Sequence, residues 1–240
     1  MELRISGEII NRLLTEEQKP ILEIKIAYPQ ILGNLSRVSE YNFNDFYQMQ
    51  ARTINRHVQT NVFSKAKRDY LTALSDEYDF TLHSYLQTFT VTRLEEQFTS
   101  LYIDTYRYNG GLHGITERQG NTWDLKRGVR VTLSYFFRRS SPYRAIALKH
   151  ILKKIKAQTN CFEAAPTLAR QRFSERNFYL TGDSIGIFYP TYAIAPFHEG
   201  IQTFEIPFSE FKNCWIPQRN PSCIKKYVGL FAQADEERFL

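Results

Sequence analysis

The sequence has little cysteine and no long apolar run. Its three cysteines, Cys161, Cys214 and Cys223, are an odd number. That excludes a full disulfide framework, although Cys214 and Cys223 could pair in an oxidising compartment. There is no Cys-x-x-Cys pair, and His57, His83, His113, His150 and His198 show no His-x-His or His-x3-His spacing. Neither a metal site nor a cofactor is expected from such scattered ligands. No apolar stretch approaches the roughly 20 residues of a membrane helix. No leader precedes the strand-like "ELRISGEII", so the chain as given is expected in the cytoplasm, or outside the cell if a leader was removed. Repeats and low-complexity tracts are missing. So are a GxSxG elbow, a GXXG loop, RNP aromatics and zinc-finger spacing, and nucleic acid is therefore not an expected partner.

Aromatic side chains and positive charge are plentiful. Eighteen Phe and fifteen Tyr accompany a hydrophobic fraction of 42% over 240 residues, enough for a sizeable core. The net charge of +6 is unevenly placed. Residues 126–176 hold thirteen Lys or Arg against Glu163 and Glu175, a local +11, and the rest of the chain carries −5. Such asymmetry points to an anionic partner or to a solvated face.

"ELRISGEIINRLL" and "ILEIKIAYPQI" read as a hairpin joined through the polar "TEEQKP". "LGNLSRVSEYN" reads as a loop, with Asn42 capping a long helix that runs to about Tyr78. Phe43, Tyr47, Ala51, Ile54, Val58, Val62, Ala66 and Tyr70 recur along it at helical spacing. From Phe80 the period becomes two, giving two long strands, then the turn "NGG", a return strand over 115–125 and a second turn at Gly128. "LSYFF" begins a short helical piece. Residues 142–158 form a basic amphipathic helix with Leu148, Ile151, Leu152 and Ile155 inward. A hairpin turning at Gly182-Asp183, the strand "IQTFEIPF" and the helical turn "SEFK" follow. The order indicates an α+β fold in two parts, with antiparallel sheets. The long helix belongs to residues 1–95 and the basic helix to residues 96–212. Residues 213–240 form an irregular tail with a short helix near its end.

Three stretches carry a resemblance: "YNGGLHG", "NTWDLKRGVRVTLSYFF" and "FYPTYAIAPFHEGIQTFEIPFSEF". In this order they resemble the ectodomain of RsiV-type anti-sigma factors and the module at the N-terminus of PdaC-type polysaccharide deacetylases. The strand pair and long helix are similar to the smaller domain that accompanies it, so the likeness covers residues 1–212. The resemblance implies a two-part α+β module, related to the cell envelope, that binds a ligand or partner rather than transforming it. One family member binds lysozyme. A +11 segment would repel so basic a protein unless the contact lies elsewhere. No membrane-spanning stretch, sigma-binding segment or deacetylase domain accompanies these motifs, so transmembrane signalling and deacetylation are not expected.

Candidate site residues follow from the same motifs. "NGGLHG" lacks the Lys-Ser/Thr ending of a phosphate loop. Asn109, Gly110 and Gly111 are expected to turn with positive φ, leaving Tyr108 and His113 beside the turn. His113 could act as a base, or simply pack. Asp104, Glu117 and Asp124 are possible acid/base carboxylates, but Glu117 and Asp124 lie on opposite faces of one strand. Asp124 can instead brace its own turn. An enzyme acting on a glycan, built on His113 and Asp124, is the alternative to a binding module. Tyr192 marks a further candidate loop. Lys149, Lys153 and Lys156 share one helix face, which Arg138, Arg139, Arg170, Arg172 and Arg176 could extend. That face suits an anionic polymer or an acidic protein, or serves only as solvated surface.

Overall fold

The computed structural model describes residues 2–223. Strands β1 (Arg4–Glu16) and β2 (Lys19–Leu32) form the expected hairpin. Its two turn residues, Glu17 and Gln18, have φ of 47° and 69°. Positive φ at both central positions matches the right-handed twist of the flanking strands.

The helix that follows starts earlier than its apolar period suggests. Helix α1 (Arg37–His57) is capped by Ser36, whose hydroxyl accepts from the Ser39 backbone N–H at 3.1 Å. Asn42, expected as the cap, sits inside the helix, and its side-chain amide donates to the Gly128 carbonyl at 3.1 Å. The period marks where the buried face begins, whereas a serine can cap a more exposed first turn. A π turn (Val58–Val62) joins α1 to α2 (Phe63–Ser75) without a break. Phe43, Tyr47, Ala51, Val58, Ala66 and Tyr70 are all buried along this rod.

Strands β3 (His83–Leu94), β4 (Phe98–Tyr108), β5 (Ile115–Asp124) and β6 (Val129–Val131) complete a six-stranded sheet in sequence order. All neighbours are antiparallel except β2 and β3, which pair in parallel from Leu22–His83 to Ile26–Gln87. The long helix forms the crossover that a parallel pair requires. The expected division at 95/96 falls in the turn between β3 and β4.

Beyond a 3-10 turn at Leu133–Phe136 comes α3 (Tyr143–Ala157), then α4 (Ala165–Gln171). The sequence reading missed α4, which has only seven residues and no room to show a period. Ala147, Ile151 and Ile155 are buried on α3, while Leu148 and Leu152 are half-buried. Strands β7 (Phe178–Leu180), β8 (Ser184–Tyr189) and β9 (Gln202–Pro207) form a second, antiparallel sheet. Phe136, Phe137, Phe211 and Trp215 share its core with α3 and α4. From residue 213, 3-10 turns at Pro217–Arg219 and Pro221–Cys223 are seen. The helix expected near the chain end, and the side chain of Cys223, lie outside the described residues. Cys214 is buried.

The two sheets meet where β7 crosses β4 and β5. The Leu180 N–H donates to the Ser100 hydroxyl at 2.8 Å, and Ser100 pairs with Thr122 at 2.8 Å. At Gly120 the backbones nearly touch, since a Cβ there would stand 2.1 Å from the Phe178 carbonyl oxygen. Arg93 fastens one side of this junction. Its guanidinium donates to the Thr181 carbonyl, the Pro221 carbonyl and the Glu95 carboxylate at 2.6–2.7 Å, and both charged residues are buried.

His83, at the start of β3, is also buried, stacked on Phe80 and 3.3 Å from Asp69. Burial holds its pKa below the ordinary imidazole value; Asp69 opposes this and Lys65 adds to it.

Two predictions follow from these contacts. Gly120→Ala should lower stability by about 1–3 kcal/mol, because a backbone carbonyl cannot move aside like a side chain. Gly111→Ala, where nothing lies within 4 Å of the added carbon, should change the melting temperature little. For His83, the unfolded chain binds the extra proton below about pH 6.5, so its contribution is complete above that pH and is lost as pH falls. Thermal melts from pH 7.5 to 5.5 should show the wild type losing more stability than His83→Gln. Equal slopes would refute the assignment.

Candidate functional site

The structure separates the sequence candidates. Tyr108 ends β4, and Asn109 opens the exposed loop that follows it. Gly110 has φ of 80°, but Gly111 lies outside the left-handed region, so only one of the two expected glycines makes the turn. His113 stacks on Phe197 with ring centroids 3.9 Å apart. Tyr192, exposed and with φ of 67°, lies 5.7 Å from Phe162 in the neighbouring loop. Leu112 is fully exposed at the loop tip.

Asp124 lies at the opposite end of β5 from His113. Ten residues of strand span roughly 30 Å, so these two side chains do not share a cleft. The buried Asp124 carboxylate accepts from the backbone N–H groups of Lys126 and Arg127 at 3.1 and 3.3 Å and from the Tyr135 hydroxyl at 2.6 Å. It braces the β5–β6 turn. The other carboxylates are also engaged: Asp104 in a two-bond pair with Arg118, at 2.8 and 2.6 Å, and Glu117 with Arg107 at 2.8 Å. Lys149, Lys153 and Lys156 are exposed on α3. Arg172 is tied to the Tyr192 and Ala193 carbonyls.

A more organised site lies at the junction of the two sheets. A groove of about 440 Å³ is lined by Arg118, Gln119, Gly120, Asn121 and Thr122 of β5, by Arg130, Val131 and Thr132, and by Arg176, Asn177 and Phe178. None of these lining residues is acidic. Arg118 is neutralised by Asp104 and covers the Tyr102 ring at 3.7 Å. Arg130 is held differently. Its guanidinium lies 4.0 Å from the Phe46 ring centroid and donates to the Asn121 side-chain oxygen at 2.9 Å. Burial lowers its pKa, and the nearby Arg176 charge lowers it further. The Arg130 guanidinium remains charged at neutral pH.

Asn121 is the polar centre of this groove. It is 2% exposed, and its side-chain nitrogen has no hydrogen-bond partner in the structure. Arg130, Arg176 and the buried Asn121 thus line one groove that no carboxylate lines. Guanidinium donors, of which Arg130 is held in place by Asn121, match a phosphate or carboxylate. A second groove, of about 770 Å³, shares Arg130 and runs along α1 past Phe46, Met49, Ile54 and Trp123. Trp123 is fixed by donating to the Tyr47 hydroxyl at 2.9 Å. Together the grooves offer a cationic end and a mixed wall in which Phe46, Met49, Ile54 and Trp123 stand beside Asp45 and Gln50.

Arg118, Asn121 and Arg130 were not singled out by sequence reasoning. The signals were partial: Asn121 opens the "NTWD" motif, and Arg130 and Arg176 belong to the +11 segment. What the sequence could not show is that residues 121, 130 and 176 meet. Among the described residues, no group of three or more His, Cys, Asp or Glu side chains gathers to hold a metal, and no helix is long and apolar enough to cross a membrane.

Residues 15–116 match the family model described as deacetylase PdaC, and residues 134–209 match that of DUF3298, a protein family of unknown function. No curated protein sequence matches significantly. Two crystal structures share the fold. A DUF3298-family member from Bacteroides fragilis superposes with a TM-score of 0.65 at 17% identity, covering 89% of this chain and 93% of that one. A DUF3298-family protein from Pseudomonas aeruginosa PAO1 gives 0.57 at 13% identity, covering 94% and 99%. The chain is thus similar to the DUF3298 proteins in fold, and in sequence over its C-terminal part.

Proposed function

We propose that this protein is a non-catalytic recognition module of the RsiV-like type, related to the cell envelope, that binds an anionic polymer in the junction groove. The observation that carries the reading is the meeting of Arg130, Arg176 and the unpartnered Asn121 amide with no acidic residue in the lining. Like charges held together gain from an anion that bridges them. The apolar side chains along α1 give the same ligand a surface to lie on at the Arg130 end, away from Asp45. The segregation of positive charge into residues 126–176 supports a ligand of negative sign. A glycan-acting enzyme built on His113 and Asp124 draws no support from their positions at opposite ends of β5.

The test compares two sets of substitutions. Binding of heparin and of teichoic acid is measured at low and high salt for wild type, for Arg130→Gln/Arg176→Gln, and for Lys149→Gln/Lys153→Gln/Lys156→Gln. The groove variant should bind at least tenfold more weakly. The helix variant should lose only a salt-sensitive fraction, because exposed charges are screened within about 8 Å at physiological salt. If the helix variant loses binding and the groove variant keeps it, the site lies on α3. If neither polymer binds the wild type at low salt, the anionic-polymer reading is wrong.

A further inference from the structure

Among the described residues, strand β1 forms one edge of the six-stranded sheet and pairs only with β2. It is thirteen residues long, contains no proline, and exposes Ile9 and Leu13 by more than half. An open edge of this length is a template for another strand unless something blunts it. Charge on an edge strand is one such device, so its pattern decides what can pair there.

The charges of β1 alternate in sign at every fourth residue: Arg4, Glu8, Arg12, Glu16. Inside the sheet, Arg4, Glu8 and Arg12 face the uncharged Leu32, Tyr28 and Ile24 of β2. Within the strand, residues four apart stand about 13 Å apart, too far to pair. Glu16 is taken by Lys67 at 2.6 Å.

We infer that two copies of this chain associate through β1, edge to edge and antiparallel, with Ile10 on the two-fold axis. In that register Glu8 faces Arg12 of the second copy and Arg12 faces its Glu8. Arg4 faces Glu16, which also holds Lys67 of its own chain, and the exposed Leu13 faces Gly7, which has no side chain to obstruct it. The register is selected by charge. A shift of two residues along the partner leaves Glu8 opposite an uncharged residue. A shift of four sets Arg12 against Arg4 or against itself, and Glu8 against itself or Glu16. Opposite charges directly across a strand pair stabilise it and like charges destabilise it. Every residue from 4 to 16 is paired only when the two-fold axis passes through Ile10. The result is a continuous twelve-stranded sheet whose two junction grooves lie far from the new interface, so the dimer presents two sites to one polymer.

The test is analytical ultracentrifugation of the full chain over a concentration series. Wild type should show a monomer–dimer equilibrium. Glu8→Arg, an exposed position that leaves the fold intact by circular dichroism, should weaken it at least tenfold, because the two-fold axis repeats each repulsion. Arg12→Glu alone should do the same. The double exchange Glu8→Arg/Arg12→Glu, which restores opposite charges, should return the dimer. A wild type that stays monomeric at high concentration overturns the inference. So does a dimer indifferent to Glu8→Arg, or one that the double exchange fails to restore.

Discussion

The structure turns on the close approach of two backbones at Gly120 and Phe178. A Cβ at 120 would stand 2.1 Å from the Phe178 carbonyl oxygen, so the second sheet can lie on β5 only because that position has no side chain. The Ser100 hydroxyl and the buried Arg93 complete the junction with hydrogen bonds to Leu180 and Thr181. A buried guanidinium is costly unless its donors are satisfied. Here Glu95 and three backbone carbonyls take the two terminal nitrogens, at 2.6–3.4 Å, and the buried Nε has no partner.

The same approach builds the groove. Gly120 and Phe178 both line it, and the chain just before Phe178 brings Arg176 and Asn177 alongside Asn121 and Arg130. Folding and the proposed anion site are therefore coupled at one place. The packing that joins the two parts of the chain also sets the spacing of the cationic groups. Asn121 illustrates the coupling. Its side-chain oxygen orients Arg130, and its nitrogen is left as an unused donor in a buried position. Such a group is destabilising unless something accepts from it.

Much of the fold was legible in the sequence because it rests on local rules. The first hairpin, the long helical face, the turn at Gly128 and the basic helix each follow from period and turn chemistry. The start of α1 was misplaced because a capping serine stands before the apolar period begins. The parallel pairing of β2 with β3 was missed because a long helix between two strands can return the chain in either sense. Of the site, the charge excess in residues 126–176 was visible, and so was the role of Asp124 in its turn. The meeting of residues 121, 130 and 176 was not, because it depends on a contact between strands 58 residues apart in sequence. The lysines of α3 drew attention for the opposite reason: their spacing is local and easily read, although no buried donor stands behind them.

Anion recognition at Asn121, Arg130 and Arg176 can be followed through side-chain NMR signals while a short heparin oligosaccharide is added. The Asn121 amide and the Nε–H groups of Arg130 and Arg176 should shift together and saturate at one ligand concentration, with the lysines of α3 changing less. If the lysine signals saturate while the Asn121 amide stays still, the groove is not where this protein meets its ligand.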